Sequence, residues 1–194
     1  MKNLLFQLQG ALIATVILAG VTCGLYPLAV WGLAQALFPD AANGSLIVDG
    51  AGVVRGSRRV GQGFASPRYF LPRPSAAGVA GYDATASGGS NLGPLSAKLK
   101  NSIQDRIAAY RASNGLPETE SVPADAVTAS ASGLDPHISL RNASLQAPRV
   151  AKFRGMDPAQ LQELIRRHTE FPWLGFLGEP GVNVLNLNRA LDAL

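Results

Sequence analysis

The sequence predicts an α+β fold, with one N-terminal transmembrane helix followed by a single mixed α/β extracytoplasmic domain that contains a small sheet. Three observations lead to this class. Residues 3–39 carry no charged side chain, whereas residues 40–194 intersperse strand-like and helix-like patterns without a repeat. The length of 194 residues suits one ordinary domain plus an attachment. We therefore expect an anchor helix over residues 1–39 and one soluble domain over residues 40–194.

The uncharged segment is long enough to cross a bilayer. Residues 11–38 read ALIATVILAGVTCGLYPLAVWGLAQALF, which exceeds the ~20 residues that a helix needs to span the hydrocarbon core. A backbone in lipid must satisfy its own hydrogen bonds, so we expect a helix that Pro27 kinks without ending. A cleaved signal peptide is the alternative, because Ala34-Gln35-Ala36 resembles a cleavage site. The apolar run is longer than the ~7–15 residues of a signal-peptide core, which favours the anchor.

Positive charge near the span predicts its orientation. Lys2 and the α-amino group precede it, and the first positive residue after it is Arg55. The end of a span that has the excess of lysine and arginine nearby stays in the cytoplasm. We therefore expect a single-pass protein of the bacterial inner membrane, with its N-terminus in the cytoplasm and its domain in the periplasm.

The domain is predicted to begin with a β-hairpin. Leu46-Ile47-Val48 and Val53-Val54 are strand-like, and Asp49-Gly50 between them is typical of a type I′ turn because glycine accepts positive φ. A further strand is expected near residues 60–64.

Prolines then exclude regular structure over the next stretch. They stand at positions 67, 72 and 74, where fixed φ angles and missing N–H groups are incompatible with a strand ladder. We expect Tyr69 and Phe70 to hold this extended segment against the core.

Two helices are predicted with defined ends. The first runs from Pro94 to Asn114-Gly115, because aliphatic residues recur at four-residue steps from Leu95 to Ile107. The second follows Asp157-Pro158, which with Gln160 has the spacing of a capping box, and His168 is expected at its end.

Three shorter elements complete the prediction. Asp135-Pro136 is interpreted as the cap and first-turn proline of a short helix that Pro148 interrupts. Residues 182–185 are interpreted as a strand, and residues 186–194 as a closing helix.

Composition argues against nucleic-acid and metal sites. The formal charge is +4 with 15% charged residues, so a nucleic-acid partner is not expected. Cys23 is the one cysteine and lies in the apolar run, which excludes an intramolecular disulfide and a thiolate zinc site. His137 and His168 lack ligand spacing, and we expect no bound metal.

The glycine-rich stretch Gly81–Pro94, GYDATASGGSNLGP, allows two interpretations. Its N–H groups precede a predicted helix and could hold an anion, but the lysine of a P-loop is missing. Ordered coil, in which glycines supply positive φ, is the favoured interpretation.

A membrane-tethered extracytoplasmic hydrolase is the alternative function. Serine, aspartate and histidine side chains are all present outside the anchor. No G-x-S-x-G elbow occurs, however, so the sequence supplies no geometry for a nucleophile.

Five blocks of sequence, together with the N-terminal span, resemble one known family over nearly the whole chain. They are GQGFASPRYFLPRPSA from Gly61, YDATASGGSNLGP from Tyr82, VPADAVTASASGLDPHIS from Val122, QAPRVA from Gln146 and GEPGVNVLNLNRALDAL from Gly178. In this order they resemble the C subunit of the bacterial Kdp potassium-transporting P-type ATPase.

The resemblance implies a complex of four kinds of subunit. A channel-like subunit binds potassium, and a P-type ATPase pump subunit hydrolyses ATP. A small hydrophobic subunit and the C subunit complete the complex. The C subunit has no catalytic residue in this scheme. It is expected to support assembly and to act as a catalytic chaperone that raises the ATP affinity of the pump subunit in a transient ternary complex.

The resemblance also implies two site residues. Gln146 matches a glutamine implicated in nucleotide contact, and Arg149 belongs to the same block. No cofactor is expected to bind this chain firmly, and ATP would be held only in the ternary complex with the pump subunit. Gly181, after Glu179-Pro180, departs from the family pattern and is expected to loosen that turn without changing a role.

The predicted orientation conflicts with nucleotide contact. A periplasmic domain cannot reach ATP in the cytoplasm, so Gln146 would then be a packing or hydrogen-bonding residue. The domain would lie over the extracytoplasmic entrance of the potassium-binding subunit, where it would stabilise assembly or modulate ion entry. Both interpretations of Gln146 stay open at this point.

Overall fold

The computed structural model describes residues 2–194 and divides the chain into two compact units. The first extends to Leu46 and the second runs from Ile47 to Leu194, whereas the sequence predicted a boundary after residue 39. The α+β class is confirmed, with 49% of residues in helices and 9% in strands. Met1, whose amino group enters the orientation argument, and the side chain of Lys2 lie outside the described residues.

The first unit is dominated by one long apolar helix. It consists of α1 (Lys2–Ala19), a π-helical segment (Gly20–Leu25) and α2 (Tyr26–Leu37). Residues Asn3–Leu37 are long and apolar enough to cross a membrane, with a mean hydropathy of 2.0, and no part of this window is buried in the structure. The short helix α3 (Pro39–Ala42) follows.

The helix continues through Pro27, as expected, but its geometry changes just before that residue. The N–H of Tyr26 donates to the carbonyl of Val21, five residues back, at the end of the π-helical segment. A proline lacks the N–H that regular α geometry would use, and π-helical geometry occurs mostly as such short distortions inside α-helices.

The predicted hairpin is present, but its turn differs from the prediction. The strands are β1 (Leu46–Val48) and β2 (Val54–Ser57). Gly52, with φ of 78°, takes the positive angle that was assigned to Asp49-Gly50. The Asp49 carboxylate accepts hydrogen bonds from the N–H groups of Ala51 and Val53, both at 2.9 Å. These bonds favour a longer turn in which the aspartate organises the loop.

Residues 58–96 contain no helix or strand, so the strand predicted near residues 60–64 is wrong. The N–H of Gly61 donates to the carbonyl of Leu134 at 2.7 Å. A Cβ at Gly61 would lie 2.6 Å from the carbonyl oxygen of Asp135, so this backbone passes directly against another irregular segment. The prediction that aromatic residues hold the segment is confirmed for Phe70, which is fully buried.

The glycine-rich stretch 81–94 is ordered coil docked on the rest of the domain. The N–H of Tyr82 donates to the Ser75 hydroxyl at 2.8 Å, and the N–H of Gly88 donates to the carbonyl of Ser132 at 2.9 Å. These two N–H groups are thus used inside the protein, as the coil interpretation expects.

The first long helix of the domain, α4 (Ala97–Asn114), begins three residues later than expected. The Ser96 hydroxyl caps it by accepting from the N–H of Leu99, and Leu95 is left 98% exposed outside it. Its end is as predicted, because Gly115 has φ of 65°. The short helix α5 (Ala124–Val127) follows.

The helix predicted at Asp135-Pro136 is wrong. Strand β3 (His137–Ser139) occupies that position, and the Ser139 side chain then caps α6 (Leu140–Arg154). Pro148 lies inside α6 without interrupting it. It is exposed, so the carbonyl that the proline cannot bond lies on the side of the helix that solvent reaches.

The C-terminal third alternates helices and short strands. Helix α7 (Pro158–Arg167) is capped by Asp157 and ends at His168, as predicted. Strands β4 (Thr169–Glu170) and β5 (Gly181–Asn183) precede α8 (Val184–Asp192). The strand predicted over residues 182–185 is therefore too long, because the Asn183 side chain caps α8 by accepting from the N–H of Asn186.

A small antiparallel sheet lies at the centre of the core. Its order is β3-β5-β4, and Ile138 pairs with Val182. Helices α6, α7 and α8 contribute most of the apolar side chains packed with it. The fully enclosed cluster consists of Phe70, Ile138, Ala143, Ala147, Val150, Ala151, Leu161, Ile165, Val182, Val184, Leu187 and Leu191.

Gly133 offers a test of how tightly the irregular segments pack. A Cβ at this residue would lie 2.7 Å from the amide nitrogen of Ala77 and 2.7 Å from the carbonyl oxygen of Gly88, whereas one at Gly115 would meet nothing within 4 Å. Both glycines have φ near 65°. Gly115→Ala should therefore cost only the left-handed strain, about 1–2 kcal/mol. Gly133→Ala should cost a further ~1–3 kcal/mol from overpacking.

Urea unfolding of the full chain in detergent measures both free energies. Equal destabilisation by the two substitutions would contradict the close packing of residues 77, 88 and 133.

Candidate functional site

The two site residues expected from the sequence lie together on the buried face of α6. Gln146 is 1% exposed and Arg149 is 6% exposed. The Arg149 Nη2 atom donates to Gln146 Oε1 at 2.7 Å. The structure therefore brings the two residues into direct contact inside the domain.

All four hydrogen-bonding positions of the Gln146 amide are occupied. Its Nε2 donates to the carbonyl of Leu71 at 3.0 Å and to Asn142 Oδ1 at 2.9 Å. Its Oε1 accepts from the N–H of Leu71 at 2.7 Å and from Arg149. A glutamine amide has two donors and two acceptor sites, so this side chain has no polar capacity left for a ligand in this conformation.

Arg149 is a buried cation surrounded by neutral oxygens. Its Nε donates to Asn114 Oδ1 at 2.9 Å, and its Nη1 donates to the carbonyls of Pro67 and Tyr69 at 2.6 and 3.0 Å. Burial lowers the pKa of Arg149, although the nearby Tyr110 partly offsets this effect. Hydrogen bonds to backbone carbonyls replace the water that the guanidinium loses.

A second amide repeats this arrangement from the other side of the same segment. Asn188, on α8, is 1% exposed; its Oδ1 accepts from the N–H of Phe70 at 2.9 Å, and its Nδ2 donates to the carbonyl of Phe70 at 3.0 Å. We call the pairs Asn188–Phe70 and Gln146–Leu71 the amide clamps. Each clamp satisfies both backbone groups of one residue, as a neighbouring strand would.

Sequence reasoning did not identify Asn188 or Asn142. The available signal was a polar residue on the buried face of an otherwise apolar helix, which occurs at Asn142 and Gln146 four residues apart and again at Asn188. Such positions are expected only where a buried partner exists.

An open depression of about 310 Å³ borders Gln146. This volume lies at the lower end of the range for small-molecule sites. It is lined by Leu71, Pro72, Arg106, Ala109, Tyr110, Ser113, Ala126 and Gln146. Two of its polar groups are bonded within the protein: Tyr110 donates to Asn142 Oδ1 at 2.8 Å, and Arg106 donates to the carbonyl of Val127 at 3.0 Å.

A second, more polar depression of about 380 Å³ contains a chain of charged groups. Arg73 donates to Asp135 at 2.7 Å, and His137 Nδ1 lies 3.7 Å from the same carboxylate. The His137 Nε2 atom contacts Glu170 at 3.0 Å. This last contact ties β3 to β4 across the central strand β5.

The ionisation of these groups follows from their neighbours. Partial burial opposes the charge on Asp135, but bonds from His137 and Arg73 lower the pKa of Asp135 to about 2. Asp135 and Glu170 together raise the pKa of His137 against the opposing effect of burial. The cluster therefore favours the imidazolium form.

Gly181 has a different setting from the loose turn that the sequence suggested. It is the first residue of β5, and a Cβ there would lie 3.3 Å from the Cβ of His137. Gly181 therefore lies directly against the His137 side chain.

The hydrolase alternative gains no geometric support. His137 contacts the carboxylates of Asp135 and Glu170. The Ser87 hydroxyl donates to the carbonyl of Ser132, and the Ser132 hydroxyl accepts from the N–H of Leu134. Within residues 2–194, the structure shows no hydrogen bond between a serine hydroxyl and a histidine ring.

The His137 contact predicts a pH dependence of stability. A histidine whose pKa is raised on folding stabilises the fold below its unfolded pKa of about 6.5, and this contribution is lost as the pH rises through the folded value. Urea unfolding of the full chain in detergent should therefore show a free energy of unfolding that decreases as the pH rises above about 6.5.

His137→Gln should flatten this slope because it removes the imidazolium that faces Asp135 and Glu170. His168→Gln, at the end of α7, is the matched control and should leave the slope in place. An unchanged slope in the His137 variant would show that its pairing with the carboxylates does not contribute.

Comparisons with known proteins agree over almost the entire chain. The family model described as "K+-transporting ATPase, c chain" (KdpC) matches residues 8–193. A "Potassium-transporting ATPase KdpC subunit" of Mycobacterium tuberculosis is 53% identical over 188 residues, which cover 97% of this chain and 98% of the relative. Those of Nitratidesulfovibrio vulgaris and a Caulobacter species are 52% and 57% identical, covering 98% and 87% of this chain and 96% and 84% of theirs. The chain belongs to the KdpC family, the c chain of the K+-transporting ATPase.

Proposed function

We propose that this chain is a non-catalytic accessory subunit of an ATP-driven, high-affinity potassium uptake complex. The observation that carries the proposal is the family match over residues 8–193, which includes both the apolar helix and the domain. Its partners would be the potassium-binding channel-like subunit, the P-type ATPase pump subunit and the small hydrophobic subunit of the same complex.

The proposed placement is a single-pass subunit of the inner membrane with its domain in the periplasm. Support comes from the apolar run Asn3–Leu37 and from the positive charge that precedes it. From this side the domain would act on the potassium-binding subunit by stabilising assembly or modulating ion entry.

We propose that the effect on ATP affinity is indirect. The Gln146 amide is fully bonded and Arg149 is buried, so both act on the backbone of residues 67–71. A segment held in one conformation can favour one state of a neighbouring subunit, and this preference changes the affinity for ATP at a distant site. In this proposal Gln146 and Arg149 are positioning residues, and direct nucleotide contact is the competing interpretation.

Matched disruption of the two amide clamps separates these interpretations. Gln146→Ala and Asn188→Ala each release one residue of the same segment, and only Gln146 borders the depression of about 310 Å³. We expect both variants of the purified complex to raise the ATP concentration for half-maximal ATPase activity by a similar factor, on the order of 5-fold or more. Gln162→Ala, at an exposed glutamine on α7, is the control and should leave this concentration unchanged.

An increase in the Gln146 variant alone would instead support nucleotide contact. If neither variant changes the ATP concentration for half-maximal activity, residues 67–71 do not influence ATP affinity. Copurification of the subunits shows in each case that the complex is still assembled.

Orientation can be tested with two single-cysteine variants in a Cys23→Ser background. Leu95 is 98% exposed in the domain, and Asn3 lies at the opposite end of the apolar run. In intact spheroplasts a membrane-impermeant thiol reagent should label Leu95→Cys, whereas Asn3→Cys should react only after lysis. The reverse pattern would place the domain in the cytoplasm and reopen direct contact with ATP.

A further inference from the structure

The connection between β4 and β5 exposes an unusual concentration of apolar side chains. Residues 171–178, which we call the aromatic loop, read FPWLGFLG and contain no charged residue. Phe171, Trp173 and Phe176 are each exposed by more than 70% of their surface, and Leu174 and Leu177 by 64% and 51%. Single exposed apolar residues are ordinary, but a contiguous group marks a contact surface.

The loop has an ordered backbone. Trp173 and Leu177 form an antiparallel bridge, in which the N–H of Leu177 donates to the carbonyl of Trp173 at 3.1 Å. The N–H of Gly175 donates to the carbonyl of Pro172 at 3.0 Å. Internal bonds of this kind lower the penalty for moving a loop out of water, because an unpaired backbone group in an apolar medium is costly.

The two ends of the loop are also fixed to the sheet and the core. Glu170, just before it, pairs with Gly181 in the sheet, and the following Val182 is fully buried. The exposed side chains are therefore carried by a fixed base and can be presented to a surface without first ordering a free chain.

Its composition matches a membrane interface. The indole nitrogen of Trp173 is the one polar side-chain atom in the loop, and tryptophan is enriched at the level of the lipid headgroups. Glu170 and Glu179 flank the loop, so charge is kept at its base while its tip is uncharged.

The chain itself keeps the start of the domain within a short distance of the end of the apolar helix. Ile47 follows Leu37, the end of the long apolar helix, by ten residues, a length of chain that spans at most ~35 Å. A domain tethered this closely to a bilayer meets the interface at a high effective concentration, so even a weak apolar contact is populated.

We propose that the aromatic loop inserts into the lipid–water interface of the membrane that the N-terminal helix spans. This inference rests on the proposed anchoring of that helix. Insertion of Phe171, Trp173 and Phe176 would hold the domain in a fixed orientation against the bilayer.

The two tryptophans of the chain allow a direct test. In the full chain, Trp31→Phe leaves Trp173 as the reporter of the loop, and Trp173→Phe leaves Trp31 as the reporter of the anchor. Each variant is reconstituted in vesicles of phosphatidylcholine and phosphatidylglycerol, with bromine either near the headgroup or deep in the acyl chains. We expect headgroup-proximal bromine to reduce Trp173 emission more strongly than deep bromine, and aqueous acrylamide to quench it weakly.

Other outcomes would overturn the inference or its premise. Strong acrylamide quenching of Trp173 without an effect of bromine would show that the loop stays in water. Absence of bromine quenching in the Trp31 reporter would instead show that the anchor is not in the bilayer, which is a failure of the proposed placement and not of the loop alone.

A second measurement distinguishes lipid from a protein partner. A nitroxide is attached through Leu174→Cys in a Cys23→Ser background, and the assembled complex is placed in lipid nanodiscs. Collisions with oxygen that exceed those with a water-soluble nickel complex support insertion. Protection of the nitroxide from both reagents would mean that another subunit covers the loop, and would overturn the proposal.

Discussion

The structure depends on satisfying the buried backbone of a segment that belongs to no helix or sheet. Residues 58–96 are irregular, yet Phe70 at their centre is fully buried. A buried N–H or C=O without a partner costs about 1–3 kcal/mol, so the segment can enter the core only with donors and acceptors from elsewhere. The amide clamps from α6 and α8 supply them, and Arg149 adds two more bonds to the carbonyls of Pro67 and Tyr69.

This constraint changes how Gln146 and Arg149 are understood. A polar residue in a recognisable motif suggests a ligand-binding role. Here, however, the Gln146 and Arg149 side chains complete the hydrogen bonding of another part of the chain. The two roles make different demands, because a ligand contact needs free polar capacity whereas a clamp needs all of it. In the proposed indirect role, Gln146 acts on a distant site through the segment 67–71, to which it is bonded at Leu71.

Sequence reasoning succeeded where a signal is local and failed where the partner is distant. The end of α4 at Gly115 and the start of α7 at Asp157 follow from caps within a few residues. In the local sequence, Asp135 and Asn183 each resemble both a helix cap and a strand residue. Only their contacts in the structure decide which of the two roles each residue has. The clamps join residues 75 and 118 positions apart, so periodicity could not reveal them. The resemblance located Gln146 and Arg149 but not their burial.

The three-stranded sheet connects the charged cluster with the aromatic loop. Glu170 is both the partner of His137 and the residue directly before Phe171, and Gly181 faces it on β5. Because a Cβ at Gly181 would crowd His137, the glycine lets the imidazole cross the central strand and reach Glu170. The ion pair therefore ties the end of β4, where the loop begins, to β3 on the other side of the central strand. Strands of two and three residues contribute few backbone bonds, and the side-chain contact between His137 and Glu170 adds to the few bonds that hold the base of the loop.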